Sequence, residues 1–211
     1  MNQKFLVIGG SGFIGKSLVS HLIKNGDTVR VLSPSADKHI WDKGIEPIVG
    51  SIENNDLITE QVRWADIVIH SVSTTNPKTS NINPVFDVSS NLIPFVQLLE
   101  AMIKMSAKKI VFFSSGGGVY GSPKEFPITE KHPKNPSSSY GFVKSMMEEY
   151  VLHYHRNFDL PYLILRPSNP YGPKTRSIGE QGIISTLISR ALQNLETHIW
   201  ANPENIRDYI Y

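Results

Sequence analysis

The stretch KFLVIGGSGFIG, residues Lys4–Gly15, decides the fold of this 211-residue chain. An apolar run typical of a buried strand leads directly into glycines, and residues 13–25 then follow a helical pattern. In a strand–turn–helix unit, backbone N–H groups and the helix N-terminus can hold a pyrophosphate. Gly9 would make the tight turn, Gly12 would allow close approach of the backbone, and Gly15 would let the helix pack on the sheet. The stretch therefore predicts a dinucleotide-binding unit.

Further apolar runs alternate with helical patterns along the chain. Strands are predicted at Thr28–Ser33, Glu46–Gly50, Ala65–Val72, Lys108–Ser115 and Pro161–Ser168, and helices at Leu57–Trp64, Pro84–Lys104, Ser139–His155 and 183–195. Continuously apolar strands joined by helices indicate a parallel sheet covered on both faces. The predicted fold class is α/β, a doubly wound parallel sheet of the Rossmann type. Residues 1–170 would form the dinucleotide-binding domain, and residues 171–211 the beginning of a small, incomplete C-terminal substrate domain.

The composition excludes several classes of partner. A net charge of +2 without a Lys/Arg run gives no support for nucleic-acid binding. The chain has no cysteine, which excludes disulfides and thiolate metal sites and suits a cytoplasmic location. Its seven histidines are scattered, so no metal site is expected. The N-terminal apolar run is too short for a membrane span or a signal peptide.

The second predicted strand ends in Ser33, where folds of this kind usually carry an acidic residue for the adenosine ribose. Without a carboxylate at this position nothing repels the 2′-phosphate of NADP, and Ser35 or Lys38 could contact that phosphate. No arginine is placed to clamp it, however. NAD and NADP both remain open.

Tyr140 and Lys144 stand four residues apart, on one face of a predicted helix. A nearby positive charge favours phenolate, so Lys144 together with an oxidised nicotinamide would lower the pKa of Tyr140. Such a tyrosine can take a proton from a secondary alcohol while hydride leaves the carbon. The pair predicts oxidoreductase chemistry.

With these motifs the chain resembles the extended short-chain dehydrogenase/reductases that act on nucleotide sugars, in particular the UDP-glucose 4-epimerase-like members. The likeness rests on VIGGSGFIG, DIVIHSVS, SSYGFVKSMMEEY and LRPSNPYGP, and it covers nearly the whole chain. It implies an NAD(P) site formed by Gly9, Gly12, Phe13, Ile14, Gly15, Ser33, Ser51, Ile52, Ser71, Val72, Ser73, Asn91, Ser114, Tyr140, Lys144 and Pro167. It also implies that Asn169 contacts the nucleotide diphosphate. Family members continue past the position of RDYIY, so the resemblance suggests a fragment or a shortened relative.

The stretch FFSSGGGVYG, from Phe112 to Gly121, departs from the family pattern. Epimerases end this strand in a third serine that contacts the substrate hydroxyl, whereas 4,6-dehydratases carry an Asp–Glu pair. Aligned on the VYG motif, those positions fall on three consecutive glycines, residues 116–118. Ser115 or Ser114 could replace the missing hydroxyl, and Gly116 and Gly117 would lie against the substrate. Dehydration by the family's mechanism is not expected.

The favoured function is a nucleotide-sugar 4-epimerase in which Tyr140, Lys144 and Ser115 are catalytic. Two alternatives stay open: a 4-ketoreductase that uses the same residues in one direction, and a non-catalytic dinucleotide-binding module. The segment from Pro84 to Lys104 is apolar on nearly every side, which requires burial on more than one face. The resemblance assigns this segment and the Tyr140 helix to a dimer contact, so a homodimer is expected.

Overall fold

The computed structural model describes residues 2–123, 125–172, 182–198 and 206–211. Residues 173–181 and 199–205 of the predicted substrate domain lie outside the described residues. The described chain divides into two compact units, Met1–Arg166 and Pro167–Tyr211, whereas the sequence prediction placed a domain boundary after residue 170. The assignment of the second unit to substrate binding stays a prediction.

A six-stranded parallel sheet forms the centre of the first unit, in the order β3-β2-β1-β4-β5-β6. Its strands are β1 (Lys4–Ile8), β2 (Thr28–Ser33), β3 (Ile45–Val49), β4 (Ile67–His70), β5 (Lys109–Phe113) and β6 (Tyr162–Leu165). The strand order reverses between β1 and β4, and in doubly wound sheets ligands bind outside the carboxyl ends of the strands at that point. The predicted fold class is confirmed.

Helices cover both faces of this sheet, and in β1, β2, β4 and β5 the residues on opposite faces enter different hydrophobic clusters. On β1, Leu6 and Ile8 pack into one cluster, while Phe5 and Val7 pack into the other. The helices of the first unit are α1 (Phe13–Lys24), α2 (Asn55–Trp64), α3 (Pro77–Ile82), α4 (Pro84–Asp87), α5 (Ile93–Lys104), α6 (Gly116–Tyr120) and α7 (Ser139–Phe158), with a 3₁₀ turn at Ala36–Lys38.

The predicted single helix from Pro84 to Lys104 is interrupted by a π-helical turn, Val88–Leu92, between α4 and α5. Pro94 lacks the N–H group that a continuous α-helix would use, and the N–H of Ile93 donates to Val88 O, five residues back. The inner side of α5 is buried, as the pattern predicted.

Two short helices were not predicted. The helix α3 begins at a capping box in which Asn76 and Thr79 satisfy each other's backbone N–H groups. The helix α6 contains the three consecutive glycines that follow the predicted strand Lys108–Ser115. Ser115 caps α6, because its Oγ accepts a hydrogen bond from the Gly118 N–H at 3.1 Å.

The second unit is small. Within it, β7 (Asn169–Pro170) pairs in parallel with β8 (Tyr209–Ile210). The helix α8 (Ile183–Leu192) ends three residues before the predicted end at residue 195.

Candidate active site

The glycine loop lies where the carboxyl ends of β1, β2 and β4 meet. Gly9 has a φ of +83°, and a Cβ added there would lie 2.9 Å from the backbone nitrogen of Val72. The Gly9 N–H donates to Leu32 O at 3.0 Å, and the Gly12 N–H donates to Gly9 O at 3.0 Å. Only glycine satisfies both the backbone angle and the contact at position 9.

The first helix approaches this loop so closely that Gly15 is also required, since a Cβ there would lie 2.4 Å from Gly9 O. No side chain caps the N-terminus of α1, and its first turn contains no acidic residue. Its N–H groups and the positive end of the helix dipole can therefore receive an anion. The loop fits the pyrophosphate of a dinucleotide.

Three serine hydroxyls cluster at the end of β2. Ser33 Oγ lies 2.6 Å from Ser11 Oγ and 3.3 Å from Ser35 Oγ, and it accepts the Ser35 N–H at 3.1 Å. Ser33 is buried. The sequence interpretation included Ser33 and Ser35 but missed Ser11, whose place between two loop glycines was the available signal.

Tyr140 and Lys144 share one face of α7, as predicted. Lys144 is buried, and its Nζ donates to Phe113 O at 2.9 Å and lies 5.9 Å from the Tyr140 ring centroid. The carbonyl at the end of β5 thus holds the lysine beside the tyrosine.

The side chains of Ser115 and Tyr140 both lie beside the Cα of Gly118. A Cβ at position 118 would lie 3.0 Å from Ser115 Oγ and 3.2 Å from Tyr140 Cε1. At the residue after Tyr140, a Cβ on Gly141 would lie 2.2 Å from Gly118 O. Gly118 and Gly141 therefore let α6 and α7 approach each other closely.

Burial is the largest influence on the pKa values of this pair. It raises the pKa of Tyr140, an effect that the Ser115 hydroxyl opposes and the charge of Asp87 increases. It lowers the pKa of Lys144 to about 8, although Asp87 and Glu148 act in the opposite direction. The predicted lowering of the Tyr140 pKa is absent here. That prediction included the charge of an oxidised nicotinamide and omitted burial.

Residues 5–211 match the model of the NAD dependent epimerase/dehydratase family. The chain belongs to this family. The predicted family and the predicted enzyme class, NAD(P)-dependent nucleotide-sugar enzymes of the short-chain dehydrogenase/reductase type, are confirmed. The curated relatives also include reductases and dehydratases of nucleotide sugars, so membership alone does not define one reaction.

Three similar proteins illustrate the relationship. A Methanocaldococcus jannaschii protein, provisionally named a UDP-glucose 4-epimerase, is 39% identical over 98% of this chain and 68% of its own length. The crystal structure of the Thermotoga maritima UDP-glucose 4-epimerase with UDP-glucose is 33% identical, with a TM-score of 0.92 over 99% of this chain and 69% of that one. The Thermus thermophilus UDP-glucose 4-epimerase in complex with NAD is 31% identical, with a TM-score of 0.89 over 99% of this chain and 70% of that one.

An ionic network around the buried carboxylate of Glu148 lies one helical turn beyond Lys144, and the sequence interpretation missed it. Arg166 donates to both carboxylate oxygens of Glu148, at 2.8 and 2.7 Å, and Ser114 Oγ donates to the same carboxylate at 2.5 Å. The Lys134 Nζ adds a contact at 3.3 Å. The available signal was the position of Glu148, one helical turn after Lys144. Because the hydroxyl of Ser114 is held in this network, Ser115 is the serine that meets Tyr140.

The predicted cofactor residues after β3 and β4 occupy the ends of those strands. Ser71 Oγ donates to Ile8 O at 3.0 Å, and Ser73 Oγ donates to Thr75 O at 2.9 Å. Ser51 Oγ accepts the Glu53 N–H at 3.2 Å, while Ile52 is buried in the core. Their contacts with a cofactor remain predictions.

Asn91 is buried in the π-helical turn. Its Oδ1 accepts the Thr74 N–H at 2.9 Å, and its Nδ2 donates to Thr74 Oγ1 at 2.7 Å. The amide also contacts Asp87, a buried carboxylate that the sequence interpretation missed.

Pro167 and Asn169 belong to the second unit. Asn169 Nδ2 donates to Asp208 O at 2.8 Å, which joins β7 to β8. The predicted roles of Pro167 toward the cofactor and of Asn169 toward the nucleotide diphosphate stay predictions.

Among the described residues, no group of three or more histidine, aspartate or glutamate side chains could hold a metal ion. No helix in the described part of the chain combines the length and the hydropathy needed to cross a membrane.

Proposed function

We propose that this chain carries the catalytic centre of a nucleotide-sugar 4-epimerase that acts by transient oxidation at C4. The meeting of Ser115 and Tyr140 over Gly118, with Lys144 one turn further along α7, is the observation that carries the proposal. The similarity to UDP-glucose 4-epimerases supports it, and UDP-hexoses are the substrates we would test first.

In the proposed reaction Tyr140 removes the proton of the C4 hydroxyl. Ser115 stabilises the phenolate, because its O–H can donate to the tyrosine oxygen while its Oγ accepts the Gly118 N–H. Lys144, fixed by Phe113 O, supplies a positive charge beside the phenol. A bound nicotinamide would supply hydride-transfer chemistry at C4, by which the alcohol is oxidised to the ketone and the ketone is reduced from its opposite face. Tyr140 then gives its proton back to the C4 oxygen.

The glycine loop is the proposed site of the cofactor pyrophosphate, and the serine cluster that of the adenosine ribose. NAD is supported by the complex of the similar Thermus thermophilus enzyme. The hydroxyls of Ser11, Ser33 and Ser35 carry no charge that would repel a 2′-phosphate. The cofactor is therefore proposed as NAD or NADP.

The glycines of α6 favour epimerisation or ketoreduction over loss of water. The positions that resemble the dehydratase Asp–Glu pair are occupied by Gly117 and Gly118, which offer no acid or base. A 4-ketoreductase would use Tyr140 and Lys144 in the reductive direction only. It is the second candidate, and a similar nucleotide-sugar reductase supports it.

The test of this proposal is a redox measurement with a tyrosine variant. The chain is loaded with NAD⁺ or NADP⁺, UDP-glucose or UDP-galactose is added, and the absorbance of reduced nicotinamide is followed. We expect reduced nicotinamide with the wild type and at least a hundredfold slower formation with Tyr140→Phe, which should bind the cofactor normally. An equal rate in the variant would contradict the assignment of Tyr140. A wild type that binds cofactor and gives no signal would favour the non-catalytic module.

We also propose a homodimer formed by the outer faces of α4, the π-helical turn, α5 and α7. The inner side of α5 is buried in the core, yet neighbouring apolar side chains of these helices are exposed. The exposed residues are Val85, Phe86, Val88, Ile93, Phe142 and Met146. Contiguous apolar residues on adjacent helices suit a helical contact with a second copy.

A cytoplasmic location, compatible with a chain that lacks cysteine, completes the proposal.

A further inference from the structure

Asp87, at the end of α4, is a fully buried carboxylate that receives hydrogen bonds from three separate segments. Thr75 Oγ1, in the loop after β4, donates to its Oδ1 at 2.5 Å. Asn91 Nδ2, in the π-helical turn, donates to the same oxygen at 3.1 Å. Ser139 Oγ, at the start of α7, donates to Oδ2 at 2.7 Å. One carboxylate therefore joins the loop, the π-helical turn and the catalytic helix.

Burying a carboxylate is costly unless hydrogen bonds or a cation compensate it. Within the described part of the chain Asp87 forms no ion pair with a lysine, arginine or histidine, so its direct hydrogen-bond partners are neutral, and Lys144 attracts its charge only from a distance. A neutral side chain would avoid this cost if the position served packing alone.

The helix α3, which precedes the helix of Asp87, also holds the first turn of α7 through hydrogen bonds. The Ser139 N–H donates to Asn81 Oδ1 at 2.9 Å, and the Tyr140 N–H donates to Ser80 Oγ at 3.0 Å. The backbone of the catalytic tyrosine is thus held by α3, and the preceding side chain is held by Asp87.

We propose that Asp87 is a positioning residue of the active site: by holding Ser139 against Thr75 and Asn91, its carboxylate places Tyr140 over Gly118 beside Ser115. Asp87 acts through Ser139 and by its charge, and it need not touch substrate or cofactor. This inference rests on the proposed role of Tyr140 and Lys144.

The charge of Asp87 reaches both members of the catalytic pair. It raises the pKa of Tyr140 beyond the effect of burial, and it raises that of Lys144 against the effect of burial. The other titratable groups around the pair are Glu148, one turn after Lys144 on α7, and His70 of β4. Burial and the charge of Lys144 hold the pKa of His70 well below its usual range. Ser115 faces Tyr140 from the end of β5.

The first test is the titration of Tyr140 in ligand-free protein. Phenolate absorbance is followed against pH, and the curve of the Tyr140→Phe variant is subtracted from the curve of its parent. Asp87→Asn keeps the size and one acceptor oxygen but removes the charge, so the phenolate forms at lower pH than in the wild type. Asp66→Asn is the matched control, because Asp66 accepts hydrogen bonds from Lys4 N and Lys108 Nζ away from the site. An unchanged Tyr140 titration in folded Asp87→Asn would overturn the proposal.

A second variant separates the hydrogen bond between Ser139 and Asp87, here called the tether, from the charge of Asp87. It also tests the positioning role if Asp87→Asn does not fold. Ser139→Ala keeps the carboxylate and removes only its link to α7. We expect amide hydrogen exchange at Tyr140 and Gly141 to become at least fivefold faster in Ser139→Ala. Ser89→Ala, which loses a hydroxyl contact to Phe86 O elsewhere on the same segment, should leave these rates unchanged. Unchanged exchange in Ser139→Ala would refute the tether.

Both measurements use the chain without cofactor or substrate. If the Asp87 proposal fails, the redox test of Tyr140 can therefore still succeed. If the redox test fails, the measured effects of the Asp87 and Ser139 variants remain valid.

Discussion

Ser115 makes two interactions at the proposed catalytic centre. Its Oγ caps α6 by accepting the Gly118 N–H, and its hydroxyl interacts with the phenol of Tyr140. The sequence pattern marked this serine as a substitute for a missing third serine. It could not establish that Ser114 is already held by Glu148, because that contact joins residues 34 positions apart.

Replacing Ser115 with alanine should raise the pKa of Tyr140. The serine hydroxyl favours the phenolate by hydrogen bonding, so its loss leaves the neutral form favoured by burial. Phenolate absorbance should appear at higher pH, and the loss of the cap should cost about 1 kcal/mol of stability. Ser115→Thr keeps the hydroxyl and should titrate like the wild type. Identical titrations of the alanine variant and the wild type would show that the two side chains do not interact.

At the scale of elements, α6 and α7 pack closely enough that backbone contacts replace side-chain contacts. The Cβ that Gly141 lacks would lie 2.2 Å from Gly118 O, whereas a Cβ at Gly117 would meet no atom within 4 Å. The sequence predicted α7 and the Tyr140–Lys144 face because both follow from helical periodicity. It did not predict α6, since consecutive glycines have low helix propensity and the helical turn depends on the Ser115 cap.

Gly141→Ala should destabilise the protein by roughly 1–3 kcal/mol, even though alanine is the better helix former. The obstructing atom is a backbone oxygen, which can move only with its helix. Gly117→Ala adds the same methyl group to open space and should change stability by less than about 0.5 kcal/mol. Denaturant unfolding of both variants measures the difference. A Gly141→Ala protein as stable as the wild type would mean that the two helices can separate freely.

For the whole molecule, the sequence predicted the parallel sheet and the glycine loop, because these depend on local patterns. The buried polar contacts of Asp87 and Glu148 were missed, since they join distant segments and leave no periodic signal. The π-helical turn was missed for a related reason: its bounds depend on the local hydrogen bonding around Pro94. The segment Pro84–Lys104 was predicted to be buried on more than one face, yet Val85, Phe86, Val88 and Ile93 are exposed in the single chain. The homodimer that would cover them stays a prediction.

Val85→Glu should convert the proposed dimer into a monomer. Val85 is 78% exposed in the single chain, so the change costs little within one copy but places a charge in the contact between two. Light scattering at tens of micromolar protein should give one chain's mass for the variant and twice that mass for the wild type. Ile40→Glu, a matched change on an exposed side chain outside this surface, should remain dimeric. A monomeric wild type would contradict the proposal.

The glycine loop is the proposed dinucleotide site on which every other proposed role depends, and calorimetric titration of this chain with NAD⁺ and NADP⁺ tests it. We predict saturable binding of at least one of the two. The Gly15→Ala variant should lose that binding, because its methyl group would lie against Gly9 O. Binding of one nucleotide alone would also decide what the serine cluster at the end of β2 selects. A folded wild-type chain that binds neither nucleotide would contradict the account.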